Sequence, residues 1–267
     1  NGPLFGTLVF MGAPIGMFLL YLVSGRVREA TTYTIPELFE IRYGTSARVI
    51  ATLCIVLGYV GILSSQFKAA GNLVNLTTGM ELESAIISSG FLMLLLAVTG
   101  GMVSIAYTDA ISAFLFVGGF MVAIPLLSGQ VDGGFWGVFK NLPEGKNTFI
   151  GNLTLIQALG YIFPVFFLVL GDQNMIQRMG AAKDVKTARK SGLGLVFSEI
   201  LVCALIIILT TTGIYLLPNI DRPDTVIFQL AIGFMPPLVG GLLMAACMSF
   251  IVTTGDSYIL TISSNIT

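Results

Sequence analysis

The sequence predicts an all-α membrane protein of about seven transmembrane helices, and three observations carry the prediction. Of its 267 residues, 55% are hydrophobic and only 10% charged, with a mean hydropathy of +0.91. A soluble domain carries about 25% charged residues, so 13 Lys+Arg and 14 Asp+Glu could not cover a water-facing surface of this size. The charges are also spaced so that apolar intervals of about 20 residues separate them, the length a helix needs to cross hydrocarbon. This composition excludes a soluble enzyme and a disordered chain. A net charge of -1 leaves no electrostatic footprint for DNA or RNA, so no nucleic-acid partner is expected. Histidine is absent, which removes the commonest general base, zinc ligand and pH switch. Cys54, Cys203 and Cys247 lie inside apolar runs and read as buried free thiols.

Taken in chain order, the intervals give spans at 4–24, 49–78, 85–102, 104–128, 151–172, 192–217 and 237–263. The first stops before Arg26, and the second starts after Arg48. The third and fourth are parted by a Gly100-Gly101 turn, the fifth follows Lys146, and the sixth runs up to Leu217. Residues 225–236 are apolar too, but Pro236-Pro237 breaks them off, which predicts a short surface helix ahead of the seventh span. Orientation follows from the basic residues of the loops. Arg26, Arg28, Arg42 and Arg48, with Arg178, Lys183, Lys186, Arg189 and Lys190, stand on one side; Lys140, Lys146 and Arg222 stand on the other. The basic loops 24–48 and 173–191 are therefore expected to be cytoplasmic in a multi-pass cell-membrane protein. Asn1 opens at the outer end of a span and Thr267 closes one, so the sequence predicts a piece of a longer membrane protein, residues 1–267 forming one incomplete transmembrane domain.

Ionisable and polar groups inside spans need reasons, because a charge at mid-bilayer costs about 2.5–3.5 kcal/mol. Lys68 lies inside the second span beside Gln66; it reads either as a snorkelling or ion-paired lysine or as a cationic site for an anionic solute group. Glu199 in the sixth span reads as a partner for a basic residue, or as a protonated carboxyl facing other helices. Asp109, at the inner start of the fourth span, can satisfy a helix dipole. The seventh span carries Ser249, Thr253, Thr254, Asp256, Ser257, Thr261, Ser263 and Ser264. Membrane hydroxyls usually bond their own helix or glue neighbours. The adjacent Thr253-Thr254 pair nevertheless offers two oxygens at one depth, which suits a hard monovalent cation such as sodium. Pro164 permits a kink in the fifth span. Gly58, Gly61, Ala69, Ala70 and Gly71 read as small residues for close helix approach. Asn75 and Asn152 fit a glycosylation pattern but lie at or within apolar spans, so neither is expected to be used.

Four stretches together resemble the sodium/solute symporter family, which includes bacterial proline, sugar and sialic acid symporters and animal sodium–glucose transporters. They are Tyr33-Thr-Ile-Pro-Glu-Leu-Phe-Glu-Ile-Arg-Tyr-Gly44, Gly100-Gly-Met-Val-Ser-Ile-Ala-Tyr-Thr-Asp109, Gly171-Asp-Gln-Asn-Met-Ile-Gln-Arg-Met-Gly-Ala-Ala-Lys-Asp184, and Thr253-Thr-Gly-Asp-Ser-Tyr-Ile-Leu-Thr-Ile-Ser-Ser-Asn265. Their order and spread over nearly the whole chain make the resemblance specific.

The resemblance implies a LeuT-like inverted-repeat transporter fold, with the seven spans as core helices two to eight and the fifth as the first helix of the second repeat. The first core helix and those after the eighth would be missing, so this stretch alone is not expected to transport. It further implies that Thr253 and Thr254 bind sodium with the backbone carbonyl of Phe250, and that Asp109 is linked to sodium binding and release. Members with a second sodium site place a serine where Phe250 stands, so one ion is favoured. Val165 and Leu168 occupy positions where sugar transporters carry Asn and Tyr, which makes a sugar unlikely as the cargo. With Lys68 and Gln66, they form the expected substrate-binding set for a small carboxylate or zwitterion. The expected function is sodium-coupled symport by alternating access, with sodium, a small solute and the lipid bilayer as partners and no enzyme activity. A transporter-like membrane sensor domain and a proton-coupled variant, with Asp109 or Glu199 as carrier, are the alternatives.

Overall fold

A computed structural model describes residues 3–29, 34–140, 142, 148, 150 and 153–266, with the side chain of Met102 excepted. In lipid, backbone N–H and C=O groups have no water to turn to, so a spanning chain must satisfy them within itself. Among the described residues the chain does so with helices alone. We number them α1 Pro3–Glu29, α2 Ile35–Tyr43, α3 Thr45–Thr78, α4 Leu82–Gly101, α5 Val103–Ser128, α6 Gly134–Lys140, α7 Leu155–Leu170, α8 Gln173–Gly180, α9 Val185–Leu216, α10 Val226–Gly233 and α11 Pro237–Ile266. Seven helical stretches are long and apolar enough to span a membrane: α1, α3, α4, α5, α7 continuing into α8, α9 and α11. Every span expected from charge spacing is present.

The boundaries come from local chemistry. Thr34 caps α2 through a reciprocal box: its hydroxyl accepts from the Glu37 N–H at 3.3 Å, and the Glu37 carboxylate accepts from the Thr34 N–H at 3.2 Å. Thr154 and Gln157 repeat the device at α7, at 3.3 and 2.9 Å. Asp172 caps α8 and Asp184 caps α9, the latter with a carboxylate oxygen 2.7 Å from the Thr187 N–H. The α4–α5 turn stands where the Gly100-Gly101 pair predicts it. Gly101 has φ 62° and ψ 177°, a backbone setting that a residue with a Cβ would resist. Pro164 lies within α7, whereas the helix is interrupted at Gly171–Asp172, about two turns beyond.

By contact density the chain falls into two compact units. The first holds Asn1–Tyr33 and Ile124–Pro218, in which α1 packs along α7 and α9 around Met17, Leu20, Met179 and Val196. The second holds Thr34–Ala123 and Asn219–Thr267, with α11 packed against α3 and α10. In that unit Tyr59 of α3 meets Tyr258 of α11 edge-on at 4.8 Å between ring centres, and Phe116 of α5 stacks on Phe250 of α11 at 4.6 Å. Such pairs contribute about 0.5–1.5 kcal/mol beyond simple burial.

Two sequence expectations need correction. Cys54 is exposed and not buried; only 6% of the most apolar stretch of α3 is buried, against 44% for α11, so the apolar run on α3 mostly faces outward. For the same reason Gly58 and Gly61 face open space, and only the Ala70–Gly71 end of that small-residue series makes a close approach, to Ile86 of α4. The helix ahead of the seventh span, α10, is short as expected and packs by one face: Phe228, Leu230 and Ala231 are buried, whereas Ile232 is exposed.

The α10–α11 turn yields a paired prediction. A Cβ on Gly240 would collide with the Ala231 carbonyl oxygen, whereas Gly241 has open space beside it. Gly240→Ala should lower the detergent melting point by the equivalent of about 1–3 kcal/mol, the usual cost of overpacking. Gly241→Ala should leave it unchanged or raise it, since alanine favours helix by roughly 1 kcal/mol over glycine. Equal effects would contradict this packing. A second prediction concerns acid. The Thr187 N–H, then its hydroxyl, hold the Asp184 carboxyl below its ordinary range. Its stabilisation is complete above the unfolded pKa and lost as pH falls through the lower folded value. Asp184→Asn keeps a capping oxygen without the charge, so its stability should fall less than the wild type's below about pH 4.

Candidate functional site

The second unit contains a cavity of about 410 Å³ between α4, α5 and α11, its wall largely apolar and crossed by two polar stripes. Helical spacing builds it. Ser104, Thr108 and Ser112 recur every four residues along α5 and share one face; Ser249, Thr253 and Asp256 recur at i, i+4 and i+7 along α11. Thr99 of α4 completes the polar lining, and Leu96, Ile105 and Val252 are among its apolar members. The two stripes meet where the Ser112 and Ser249 hydroxyls bond each other at 2.5 Å. The Phe116–Phe250 stack lies one turn further along α5 and fixes the rotation of α11.

At one edge of the cavity three oxygens converge. The Thr253 hydroxyl donates to the Phe250 carbonyl oxygen at 3.2 Å, and the Thr254 hydroxyl donates to the same oxygen at 2.8 Å. These are the two hydroxyls and the carbonyl that the sequence singles out. A hydroxyl that donates its proton inward keeps its lone pairs for a cation. Thr253 is 8% exposed and lines the cavity, so a cation leaving the pair would enter a hydroxyl-lined space.

Asp256, one turn beyond Thr253, is 5% exposed, and its Oδ1 has no hydrogen-bond partner among the described residues. Asp109 of α5 is half-buried and close enough to Asp256 for the two carboxylates to act on one another. The sequence reading assigned a role to Asp109 and left Asp256 unassigned. The i, i+4, i+7 spacing of Ser249, Thr253 and Asp256 was the signal that could have found it, as the four-residue repeat of Ser104, Thr108 and Ser112 was on the facing helix.

Lys68 is not among the residues lining the cavity, and its surroundings favour the ion-pair reading. Its Nζ lies 3.7 Å from an oxygen of Asp224, and both side chains are half-exposed or more. That same oxygen accepts from the Asn72 amide at 3.1 Å, and the Asn72 carbonyl oxygen accepts from Arg222. Asn72 is 1% exposed and ties α3 to the segment before α10. Gln66 is half-buried on α3. Val165 and Leu168 belong to the first unit, on α7; Val165 lies beside Gly12 of α1, and Leu168 is exposed. Glu199 of α9 accepts from the Cys203 thiol at 3.5 Å. Asn75 donates to the Met80 carbonyl at 2.7 Å beyond the end of α3, and Asn152 lies outside the described residues.

Comparison with known proteins adds three findings. A family model for the Sodium:solute symporter family matches residues 5–267. Sodium/proline symporters of Staphylococcus aureus, from strains bovine RF122 / ET3-1 and Newman among others, are 25% identical over 278 residues, covering 97% of this chain and 53% of theirs. The chain thus spans about half the length of the curated relatives it matches. A sodium-coupled sialic acid symporter, solved in a substrate-bound outward-open state, superposes with a TM-score of 0.74 at 17% identity, over 98% of this chain and 61% of that one. Its fold is shared here, an all-helical inverted-repeat arrangement. The matched proteins are named as transporters and not as enzymes.

The Asn72 junction gives a ranking. A half-exposed ion pair is worth about 0.2–1 kcal/mol, so Lys68→Ala should cost that much or less in detergent unfolding. Asn72→Ala strips a buried group bonded to both Arg222 and Asp224 and should cost about 1–3 kcal/mol. The reverse order would contradict this geometry.

Proposed function

The chain belongs to the sodium:solute symporter family, and from that premise we propose that its parent protein imports a small organic solute by coupling it to one sodium ion. The observation that carries the proposal is the convergence of the Thr253 and Thr254 hydroxyls on the Phe250 carbonyl, beside a hydroxyl-lined cavity. These oxygens make the protein's share of a sodium shell, and the buried carboxylate of Asp256 with Asp109 nearby supplies the negative field that attracts the ion. Phe250 contributes through its backbone, and its ring has the separate task of holding α11 against Phe116. The two acids place their charge beside the exit from the hydroxyl pair and so bear on release as well as on binding.

The transport cycle is alternating access. Sodium binds the outward-open form better, solute then binds beside it, and the loaded protein rocks inward. A membrane potential adds about 2.3 kcal/mol of inward drive per charge per 100 mV. The side carrying loops 24–48 and 173–191 is cytoplasmic in this reading, as the excess of basic residues supports. A small carboxylate or zwitterion is the favoured solute. The similarity to proline and sialic acid symporters supports that choice, since both of those solutes carry a carboxylate. Gln66, Val165 and Leu168 remain the proposed solute contacts, and Lys68 serves the solute by exchanging its Asp224 partner for the solute carboxylate.

The test is thermal stability of the full-length protein in sodium against potassium and choline at fixed pH. Sodium should raise the melting temperature specifically, and Thr253→Ala and Thr254→Ala should each lose that rise while melting within a few degrees of wild type without sodium. No sodium effect in the wild type would sink the proposal and favour the proton-coupled variant, with Asp109 or Glu199 as carrier, or the sensor reading.

A further inference from the structure

In the first unit, two spans end together in a concentration of positive charge. The last turn of α1 carries Arg26 and Arg28, and α9, packed alongside it, opens with Lys183 before the helix and Lys186, Arg189 and Lys190 within it. The cations on α1 need no special reason, because they stand at a helix C-terminus, where the dipole is negative. Those on α9 stand around an N-terminus, where the dipole is positive and repels them, and the acid that answers that dipole is the cap, Asp184. Helix stability does not explain them. The helix end itself is already capped by Asp184, so an anion seated there would be held by the side chains around it.

The side chains are arranged for such a partner. Gly25 of α1 has no Cβ, and one added there would stand 3.1 Å from Nε and 3.3 Å from Nη2 of Arg189, so the glycine lets that guanidinium lie against the backbone of α1. Nε of Arg28 is buried and has no hydrogen-bond partner among the described residues. Asp184 acts on Arg28, but one of its oxygens is committed to the Thr187 N–H as the cap of α9, and Glu29 follows Arg28 at the end of α1. Two cations elsewhere near helix ends are already matched: Arg178 donates to Asn174 at 3.0 Å, and Arg48 pairs with Glu40 at 2.9 Å.

We propose that the joint end of α1 and α9 binds the phosphate of an anionic phospholipid headgroup, with Arg28 and Arg189 as its principal contacts and Lys186 and Lys190 at its rim. A lipid is the occupant because both helices are spans, so their ends meet the headgroup layer, where anionic lipid is concentrated. The proposal does not depend on the transport reading, and its failure would leave that reading intact.

The experiment uses the full-length protein, purified and delipidated in detergent. Phosphatidylglycerol, phosphatidylcholine or inorganic phosphate is added at matched concentration, and bound lipid is counted by native mass spectrometry alongside melting temperature. Wild type should retain phosphatidylglycerol in preference to phosphatidylcholine and melt higher with it. The Arg28→Gln/Arg189→Gln double variant should bind it about ten-fold more weakly or worse, the scale of two membrane-surface cations, while Arg48→Gln keeps wild-type binding. The mass count stays decisive if the double variant melts lower without lipid. Equal binding by wild type and double variant would overturn the proposal. So would an equal loss in Arg48→Gln, which would mark diffuse surface charge, or inorganic phosphate reproducing the effect, which would mark a free-anion site.

Discussion

Hydrocarbon offers no partner to a hydroxyl or a carboxylate, so a helix that carries Ser249, Thr253, Asp256, Ser257 and Thr261 across a membrane has to be enclosed by other helices. That constraint on α11 organises the second unit. All five residues are buried or line the cavity, and α11 is far more enclosed than α3. Tyr59 and Phe116 grip it from α3 and α5, and the Ser112–Ser249 bond joins its polar stripe to that of α5. The glycine at 240 lets α10 close over its start. What encloses the stripe also shapes it, because once its outer face is packed the remaining oxygens can only face one another and the cavity.

Most of the fold was legible in the sequence because lipid enforces two coarse rules, helix length and charge spacing, that a reader can apply without knowing the packing. All seven spans follow from them, and so does the turn at Gly101. What was not legible depends on which way a helix is rotated. Cys54, Gly58 and Gly61 sit in an apolar run that the sequence cannot orient, and the structure turns them outward. A pattern of period 3.6 distinguishes lipid from core only when one side is polar, and on most of α3 both sides are apolar. The polar residues were more readable. Thr253 and Thr254 stood out as a pair, and their convergence on the Phe250 carbonyl is a local consequence of helix geometry at i−3 and i−4. Asp256 was visible too, but its significance arises from the four-residue stripe on α5 opposite it, a relation between two helices that no single segment displays.

Lys68 shows how one residue can satisfy two readings. Its position inside an apolar span signals a purpose, and Asp224 supplies one, since the pair and the Asn72 clamp hold the segment before α10 to α3. A pair this exposed contributes little to stability and can be exchanged for another anion at little cost. The same chemistry that makes it a weak structural bond makes it available to a solute carboxylate.

Sodium coupling at this site requires the hydroxyls of Thr253 and Thr254 to be ligands for the ion and not merely caps on their own helix. Equilibrium binding of ²²Na⁺ to the purified full-length protein tests this directly. Saturable binding approaching one ion per protein, lost in the Thr253→Ala/Thr254→Ala double variant and kept in Thr99→Ala on the opposite wall of the cavity, is the predicted result. Unchanged binding in the double variant would show that the ion sits elsewhere and contradict the assignment.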